Sequence, residues 1–376
     1  MPQKSLLIII ALLFVCIQSS APFTKVESEI RQIMNEQNIL GMGVAVVKDG
    51  KIIYTHSFGL KDIEAHTQLT DDDIFRIASI SKSFSATSIM QLIEKGKLSL
   101  DDDFSDLVGF PIRNPKFPSK VITLRMVMSH TSSINDSQGY FNLDVINPAK
   151  NQDWAKSYNE YPPGEGYAYC NLNYNMIGAV IEKISGERFD NYVSSHILKP
   201  LGLYGGYNVD SLDRSKFVTL YEYDSASKRF VTSPEAYASR REQIADYVMG
   251  YSTPVFSPTG GMKISATDLA KYMLMHMHRG KSSGVRIISK KSSRIMQTKV
   301  ASAGNYGLAF ETNLETVIPG EKMTGHTGGA YGLRSCMFFN QKKDFGIVVI
   351  INGSGPEGQT PIWYRTVNCL YDNLVK

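Results

Sequence analysis

Phe75-Arg-Ile-Ala-Ser79-Ile-Ser-Lys82-Ser-Phe84 is the stretch on which the reading of this chain turns. An apolar, strand-like segment runs into a serine that opens a helix, and a lysine follows three residues later. That spacing puts both side chains on one side of the helix, one turn apart. A serine hydroxyl is a poor nucleophile at its own pKa and needs a base within hydrogen-bond reach. At a helix start it also lies where unsatisfied backbone N–H groups and the helix dipole favour a developing negative charge. A lysine acts as base only when neutral, which takes burial or cationic neighbours. Phe75, Ile77, Ile80 and Phe84 flank the pair with apolar surface. The same S-x-x-K spacing recurs at Ser225 to Lys228, in a polar, turn-like stretch. Context, not spacing, singles out Ser79 and Lys82.

Outward from this stretch, the spacing predicts a helix from about Ser81 to Lys95, ended by Gly96. Upstream, Val26, Ile30, Ile33 and Met34 mark a helix over Thr24 to Asn38. Gly41 to Val47 and Ile52 to Gly59 read as strands joined by a hairpin turn at Lys48-Asp-Gly-Lys51. Residues from about 98 to 250 mix short helices with proline-rich turns, and Asn173 to Ser185 is a helix closed by Gly186. Ala266 to Met277 is another. Near the C-terminal end, Tyr306 to Glu311, Leu333 to Asn340 and Phe345 to Asn352 read as strands, and Thr360 to Leu374 as a closing helix. Strands at both ends and helices between them predict an α+β fold. One antiparallel sheet is built from both chain ends and flanked by helices, with an inserted mainly helical domain. The expected boundaries are a signal peptide at 1–21, the sheet domain at 22–97 and 251–376, and the inserted domain at 98–250.

Composition agrees with a globular chain. Of 376 residues 43% are hydrophobic and 20% charged, which excludes a disordered or collagen-like protein. Forty Lys and Arg against 36 Asp and Glu leave +4, too even to argue for a nucleic-acid partner. One positive charge at Lys4, an apolar run from Leu6 to Ile17 and a small-residue end at Ser19 to Ala21 fit a secretory signal peptide. The protein is therefore expected to be exported, periplasmic or secreted, with no stable membrane span after cleavage. Lipid anchoring at Cys16 is set aside, because Val15 is larger than such a site prefers. The mature chain keeps Cys170, Cys336 and Cys369, an odd count that argues against a disulfide framework. Met275-His276-Met277-His278 sits in an apolar helical stretch and reads as core, not as a metal site.

Two further elements carry chemistry. Tyr169-Cys170-Asn171 follows Pro162-Pro163-Gly164 and precedes a helix, a place where a pinned loop displays polar residues. The tyrosine suits proton transfer, and the asparagine amide suits a substrate amide. Y-x-N also occurs at Tyr140 and Tyr371, so the bare triplet means little. Gly325-His326-Thr327-Gly328-Gly329, read as a glycine loop, leads into the strand at Leu333. Glycines let a substrate backbone approach and leave N–H groups for an oxyanion hole.

S-x-x-K, then Y-x-N, then H-T-G, in this order and at these wide separations, resembles the serine β-lactamase and penicillin-binding protein superfamily. The tyrosine in the second motif is similar to the branch of class C β-lactamases, DD-peptidases and related esterases. Val121 to Ser132 resembles that branch's "ITLRHLLSHTSG" segment, and Gly260 to Ala270 its "GGLxSTAxDLA" segment. The resemblance covers almost all of the mature chain. Ser133 replaces the usual glycine, Cys170 the usual serine or alanine, and His326 the lysine of class C β-lactamases. The last departure fits DD-peptidase-like members better than an efficient β-lactamase.

The resemblance implies a β-lactamase/transpeptidase-like fold with Ser79 as the acylated nucleophile. It implies Lys82 and Tyr169 as proton carriers, with the choice of base between them open. Asn171 would hold the acyl amide. His326 and Thr327 would receive a carboxylate or tune Tyr169, and the glycine pair Gly328 and Gly329 would border the substrate. The N–H groups of Ser79 and Gly329 would form the oxyanion hole. No metal or organic cofactor is implied. The expected substrate is a small molecule or a peptide of peptidoglycan type. The first expectation is DD-peptidase-like action on D-Ala-type amide bonds; an esterase or lactonase, a β-lactamase and a non-catalytic binding protein are the alternatives. His130 and His196 read as structural, Arg334 as a weak candidate for a substrate carboxylate, and Asn135-Asp136-Ser137 as an idle glycosylation sequon.

Overall fold

A computed structural model describes residues 21–300 and 304–376 of the chain. Residues 1–20, which hold nearly all of the expected leader and Cys16, lie outside them. The fold is organised by strand β1 (Gly41–Lys48), whose first seven residues are all buried. A strand buried on both faces needs a continuous apolar run, not an alternating one. Asp49 and Gly50, both with positive φ, turn it back into β2 (Lys51–Asp62), which pairs with the short β3 (Thr67–Gln68). On its other side β1 pairs antiparallel with a strand from the far end of the chain, in register from Met42↔Ile351 to Lys48↔Phe345.

The rest of the chain supplies three small strand groups before the sheet resumes. β4 (Phe75–Arg76) and β5 (Gly205–Gly206) flank β8 (Lys263–Ile264). β6 (Tyr221–Asp224) and β7 (Arg229–Thr232) form a hairpin, as do β9 (Lys281–Ser282) and β10 (Val285–Arg286). Then come β11 (Glu311–Leu314), β12 (Met323–Ala330), β13 (Leu333–Asn340) and β14 (Phe345–Ile351). The main sheet has the order β11-β12-β13-β14-β1-β2-β3, so both chain ends do build it, as expected.

Alternate residues of β1 face two cores. Val44 and Val46 pack with α1 (Ala21–Glu36) and α10 (Tyr364–Leu370) through Val26, Ile30 and Val367. Ala45 and Val47 face a larger cluster with α8 (Ala266–Met277). That cluster continues through α2 (Ser81–Glu94) to α5 (Asn171–Ser185) and the short α3 (Phe104–Val108), α4 (Leu124–Met128) and α6 (Phe189–Val193). The hairpin β6–β7 and the short α7 (Arg241–Ala245) also fall between residues 98 and 250. α9 (Lys290–Met296) lies near β10 in sequence.

Helix α2 is polar in sequence yet central: eleven of its fourteen residues are buried. Its hydroxyls are satisfied internally. Ser83 Oγ donates to Ile80 O at 2.8 Å, Ser88 Oγ to Phe84 O at 3.0 Å and Ser85 Oγ to Pro258 O at 3.0 Å. Phe84 stacks on Tyr272 of α8, with ring centroids 3.8 Å apart.

Four expectations need correction. Tyr306 to Glu311 is not a strand; β11 begins only at Glu311, because Ala309 is left-handed and Gly307 N–H turns back to Phe310 O. The glycine-rich run at 325–329 is not a loop but the middle of β12, paired with β13. α5 begins at Asn171 instead of Asn173. The closing helix starts at Tyr364, after Pro361, and ends in a π-helical turn at Tyr371–Val375. His276, in the Met-His run on α8, is fully buried against Tyr272 and Phe310, with the apolar side of that helix.

Gly328 is required by close approach. A Cβ there would lie 2.3 Å from Ile77 O and 2.4 Å from Ser335 Oγ. Gly328→Ala should therefore cost about 1–3 kcal/mol by overpacking. Urea unfolding would read that as a lower midpoint with unchanged slope.

Candidate active site

Ser79 sits in a 3-10 turn, Ala78–Ile80, between β4 and α2. The turn is held from both sides. Ile77 N–H donates to Met262 O at 2.9 Å, Met262 N–H to Ser81 Oγ at 3.0 Å, and Ser335 Oγ to Ile77 O at 3.0 Å. Ala78 has φ +47°, a left-handed backbone that a non-glycine residue keeps only when its surroundings impose it.

Lys82 is completely buried. Its Nζ lies 3.1 Å from Ser79 Oγ, 2.9 Å from Asn171 Oδ1 and 3.0 Å from Thr259 O. It also sits over the Tyr169 ring, 4.7 Å from the centroid. Burial lowers its pKa to about 7, against the opposing pull of Asp136. A neutral amine has two N–H donors and one lone pair. Asn171 Oδ1 and Thr259 O can only accept, so they take the two N–H groups and leave the lone pair for the Ser79 hydroxyl.

Asn171 is fixed by its neighbours. Its Oδ1 also accepts from Thr259 Oγ1 at 3.0 Å, and its Nδ2 donates to Asp136 Oδ2 at 2.9 Å. A carboxylate only accepts, which settles the amide's orientation. Asp136 caps α5 from outside the helix. It accepts from the N–H groups of Asn171 and Leu172 at 2.8 and 2.9 Å and from Cys170 Sγ at 3.2 Å. Cys170 is a free thiol, buried, with its pKa raised well above the ordinary value, so it stays protonated.

Tyr169 shows part of its ring to solvent at the cavity wall, 39% exposed overall. Desolvation of its phenol nonetheless raises the pKa far above 10, and a hydrogen bond with Ser79 offsets only part of this. Tyr169 is the outer member of an aromatic cluster with His130, Tyr174, Tyr306 and His326. Its ring centroid lies 4.4 Å from that of His130 and 6.0 Å from that of His326. His130 is buried and supports the loop, its Nδ1 accepting from Cys170 N–H at 3.1 Å.

A cavity of about 510 Å³ opens over these groups, with Ser79, Tyr169, Asn171, Thr259 and Gly329 on its wall. Three non-glycine residues with left-handed backbone also line it: Ala78, Ser257 and Tyr331. The expected residues thus divide. Ser79, Lys82, Tyr169 and Asn171 are brought together, with Gly329 across the cavity. Thr327 and Gly328 are not on its wall; Gly328 packs on Ile77 behind it.

His326 is not on the wall either, and this corrects the expectation of direct contact with a carboxylate. His326 is 2% exposed. Nδ1 donates to Thr327 O at 2.6 Å and Nε2 accepts from Tyr306 Oη at 3.0 Å, so both nitrogens are committed. Burial, aided by Lys82, pulls its pKa down to about 3 and keeps it neutral. His196 is tied to Glu187 at 2.9 Å, and Arg334 to Glu357 at 3.4 Å. Asp136, Thr259 and Tyr306 were not picked out from the sequence. Asp136 had a signal, an acidic residue beside the SHTS segment, but it lay inside a sequon. Among the described residues no cluster of three or more His, Cys, Asp or Glu side chains is arranged to hold a metal ion.

The sheet, the central helix and this serine–lysine–tyrosine cluster have the arrangement of the β-lactamase and penicillin-binding protein superfamily. A family model described as Beta-lactamase matches residues 26–369, and the chain belongs to that family. It is 24% identical over 346 residues to Protein flp of Staphylococcus aureus strain MW2, covering 87% of this chain and 62% of that protein. It is 32% identical over 180 residues to Penicillin-binding protein 4* of Bacillus subtilis strain 168, covering 46% of this chain and 39% of that one. The chain therefore spans less than two thirds of the length of these curated relatives. Among solved structures, the octameric penicillin-binding protein homologue from Pyrococcus abyssi superposes with TM-score 0.73 at 29% identity, covering 94% of this chain and 78% of that one.

Two outcomes follow from this geometry. Asp136→Ala removes a cap and frees the Asn171 amide; stability should fall by about 1–2 kcal/mol, read by urea unfolding. Lys82 must be neutral to accept a proton, so acylation should rise with pH through about 7 and fall below it. Single-turnover rates on an activated ester should drop about tenfold per unit at lower pH. Lys82→Arg, which cannot lose its charge, should flatten that profile at a rate lower by about a hundredfold or more.

Proposed function

We propose that this protein is an exported serine hydrolase that works through a covalent acyl-enzyme on Ser79. The observation that carries the proposal is the buried Lys82 amine, 3.1 Å from Ser79 Oγ and near neutrality at pH 7. Lys82 takes the Ser79 proton as Oγ attacks the acyl carbonyl. The N–H groups of Ser79 and Gly329 hold the oxygen that becomes negative. Tyr169, kept protonated by its surroundings, gives its proton to the leaving group as the bond to the acyl carbon breaks. The proton on Lys82 then restores the phenol. Deacylation by water runs the same transfers in reverse. Between the two candidate bases, the pKa directions favour Lys82.

The substrate we favour is an amide of the D-Ala-D-Ala type. Support comes from the penicillin-binding relatives and from His326, a departure from the lysine of class C β-lactamases. An apolar run at residues 6–17 supports export. The test is intact-protein mass after incubation with benzylpenicillin. Wild type should gain one penicilloyl group that persists, and Ser79→Ala should gain none. Rapid loss of penicillin without an adduct would make the protein a β-lactamase instead, and no reaction together with turnover of short acyl esters would make it an esterase.

A further inference from the structure

Among the described residues that line the Ser79 cavity Arg76 is the one cation, and no ion pair within 4.0 Å joins it to an acid. It is 6% exposed. Its hydrogen bonds are long: Nη1 to Ala236 O at 3.4 Å and Nη2 to Ser257 Oγ at 3.3 Å. Nε is buried with no partner at all. An orphaned donor on a buried guanidinium is costly unless something pairs with it. Glu222 lies on the same cavity wall but makes no ion pair with Arg76. Lys263 lies directly across the β4–β8 pairing from Arg76 and is itself buried, and Asp210, whose charge acts on Lys263, is occupied by Arg240 N–H and Ser239 Oγ.

Nε and Nη2 of Arg76 form the fork that can bind a carboxylate with two parallel hydrogen bonds; here Nε is buried without a partner and Nη2 holds only Ser257 Oγ, at 3.3 Å. Ser257, beside it, offers a hydroxyl. The guanidinium is covered by the ring of Tyr331, 5.0 Å from its centre. Tyr331 occupies the tip of the β12–β13 hairpin with φ +55°, followed by Gly332 at +76°. Such a turn favours Asn-Gly, and a bulky aromatic there is strained. Gly332 is packed so tightly that a Cβ would lie 1.8 Å from Tyr221 O, which anchors the tip and aims the ring.

We infer that Arg76 is a specificity-determining residue that binds a carboxylate on the substrate, and that Tyr331 is the cover that carboxylate displaces. The inference rests on the Ser79 cavity being the substrate site, and it moves the anion-reading role from His326, which is neutral and occupied, to Arg76. It narrows the substrate class to acyl compounds bearing a carboxylate within reach of Ser79.

Binding to Ser79→Ala protein tests this without any turnover, so its outcome is separate from that of the acyl-enzyme. Calorimetry would compare hippurate with its neutral amide, hippuramide, at pH 7 and pH 9. The carboxylate should bind at least about tenfold more tightly, and equally so at both pH values, because a guanidinium does not titrate there. Adding Arg76→Gln should bring the ratio to about one. Arg76→Lys, which keeps charge but not the fork, should leave an intermediate ratio. Tyr331→Gly should raise the preference by about threefold or more, since glycine relieves the turn and uncovers the edge. A ratio near one in the Arg76-containing protein would overturn the proposal, whatever the variants do. So would an Arg76→Gln protein in which both ligands weaken together, the mark of a purely structural residue.

Discussion

A polar helix runs through the middle of this protein, and it can do so only because its hydroxyls and its amine find partners inside. Ser83, Ser85 and Ser88 are bonded to backbone carbonyls, and Lys82 to Asn171 and Thr259. An apolar helix would pack there as well but would carry no chemistry. A polar one with a missing partner would be too costly to bury. The same bonds that make α2 tolerable in the core therefore hold the amine beside Ser79, where burial lowers its pKa. Stability and reactivity come from one set of contacts. Asp136 extends that set outward: by capping α5 it aims the Asn171 carbonyl at the amine.

Much of the fold was legible in the sequence because its central strands are extreme. Gly41 to Val47 and Phe345 to Ile351 are uninterrupted apolar runs bounded by turns, and such runs in a globular chain have few places to go. The helix Ser81–Glu94 was legible from the stretch that opens it and from Gly96, and Ala266–Met277 was read as a helix as well. β12 was not. Gly325 and Gly328 read as a loop because glycine disfavours strands, yet here each removes a Cβ that would meet backbone oxygen from a neighbour. The reason lies in the packing partner, which no local window contains.

The site divides in the same way. Ser79, Lys82, Tyr169 and Asn171 sit in local motifs, so spacing and context located them. The roles of His326 and Arg76 depend on what faces them from distant parts of the chain: Tyr306 for one, Tyr331 and Ser257 for the other. The histidine had been given the outward task because its motif was visible. Burial decides otherwise, and Arg76, just ahead of the nucleophile and without a motif of its own, is the cation that lines the wall.

The pairing of β1 with β14 has a consequence for how the molecule comes into being. Residues 41–48 leave the ribosome some 300 residues before their partner at 345–351. Until then one long edge of a strand buried on both faces has no neighbour in the native order, and an apolar edge of that kind invites pairing with other chains. Closing so large a loop is also slow. The final hairpin and closing helix therefore act as a latch, and a chain truncated before residue 345 would present its most adhesive surface without the means to cover it.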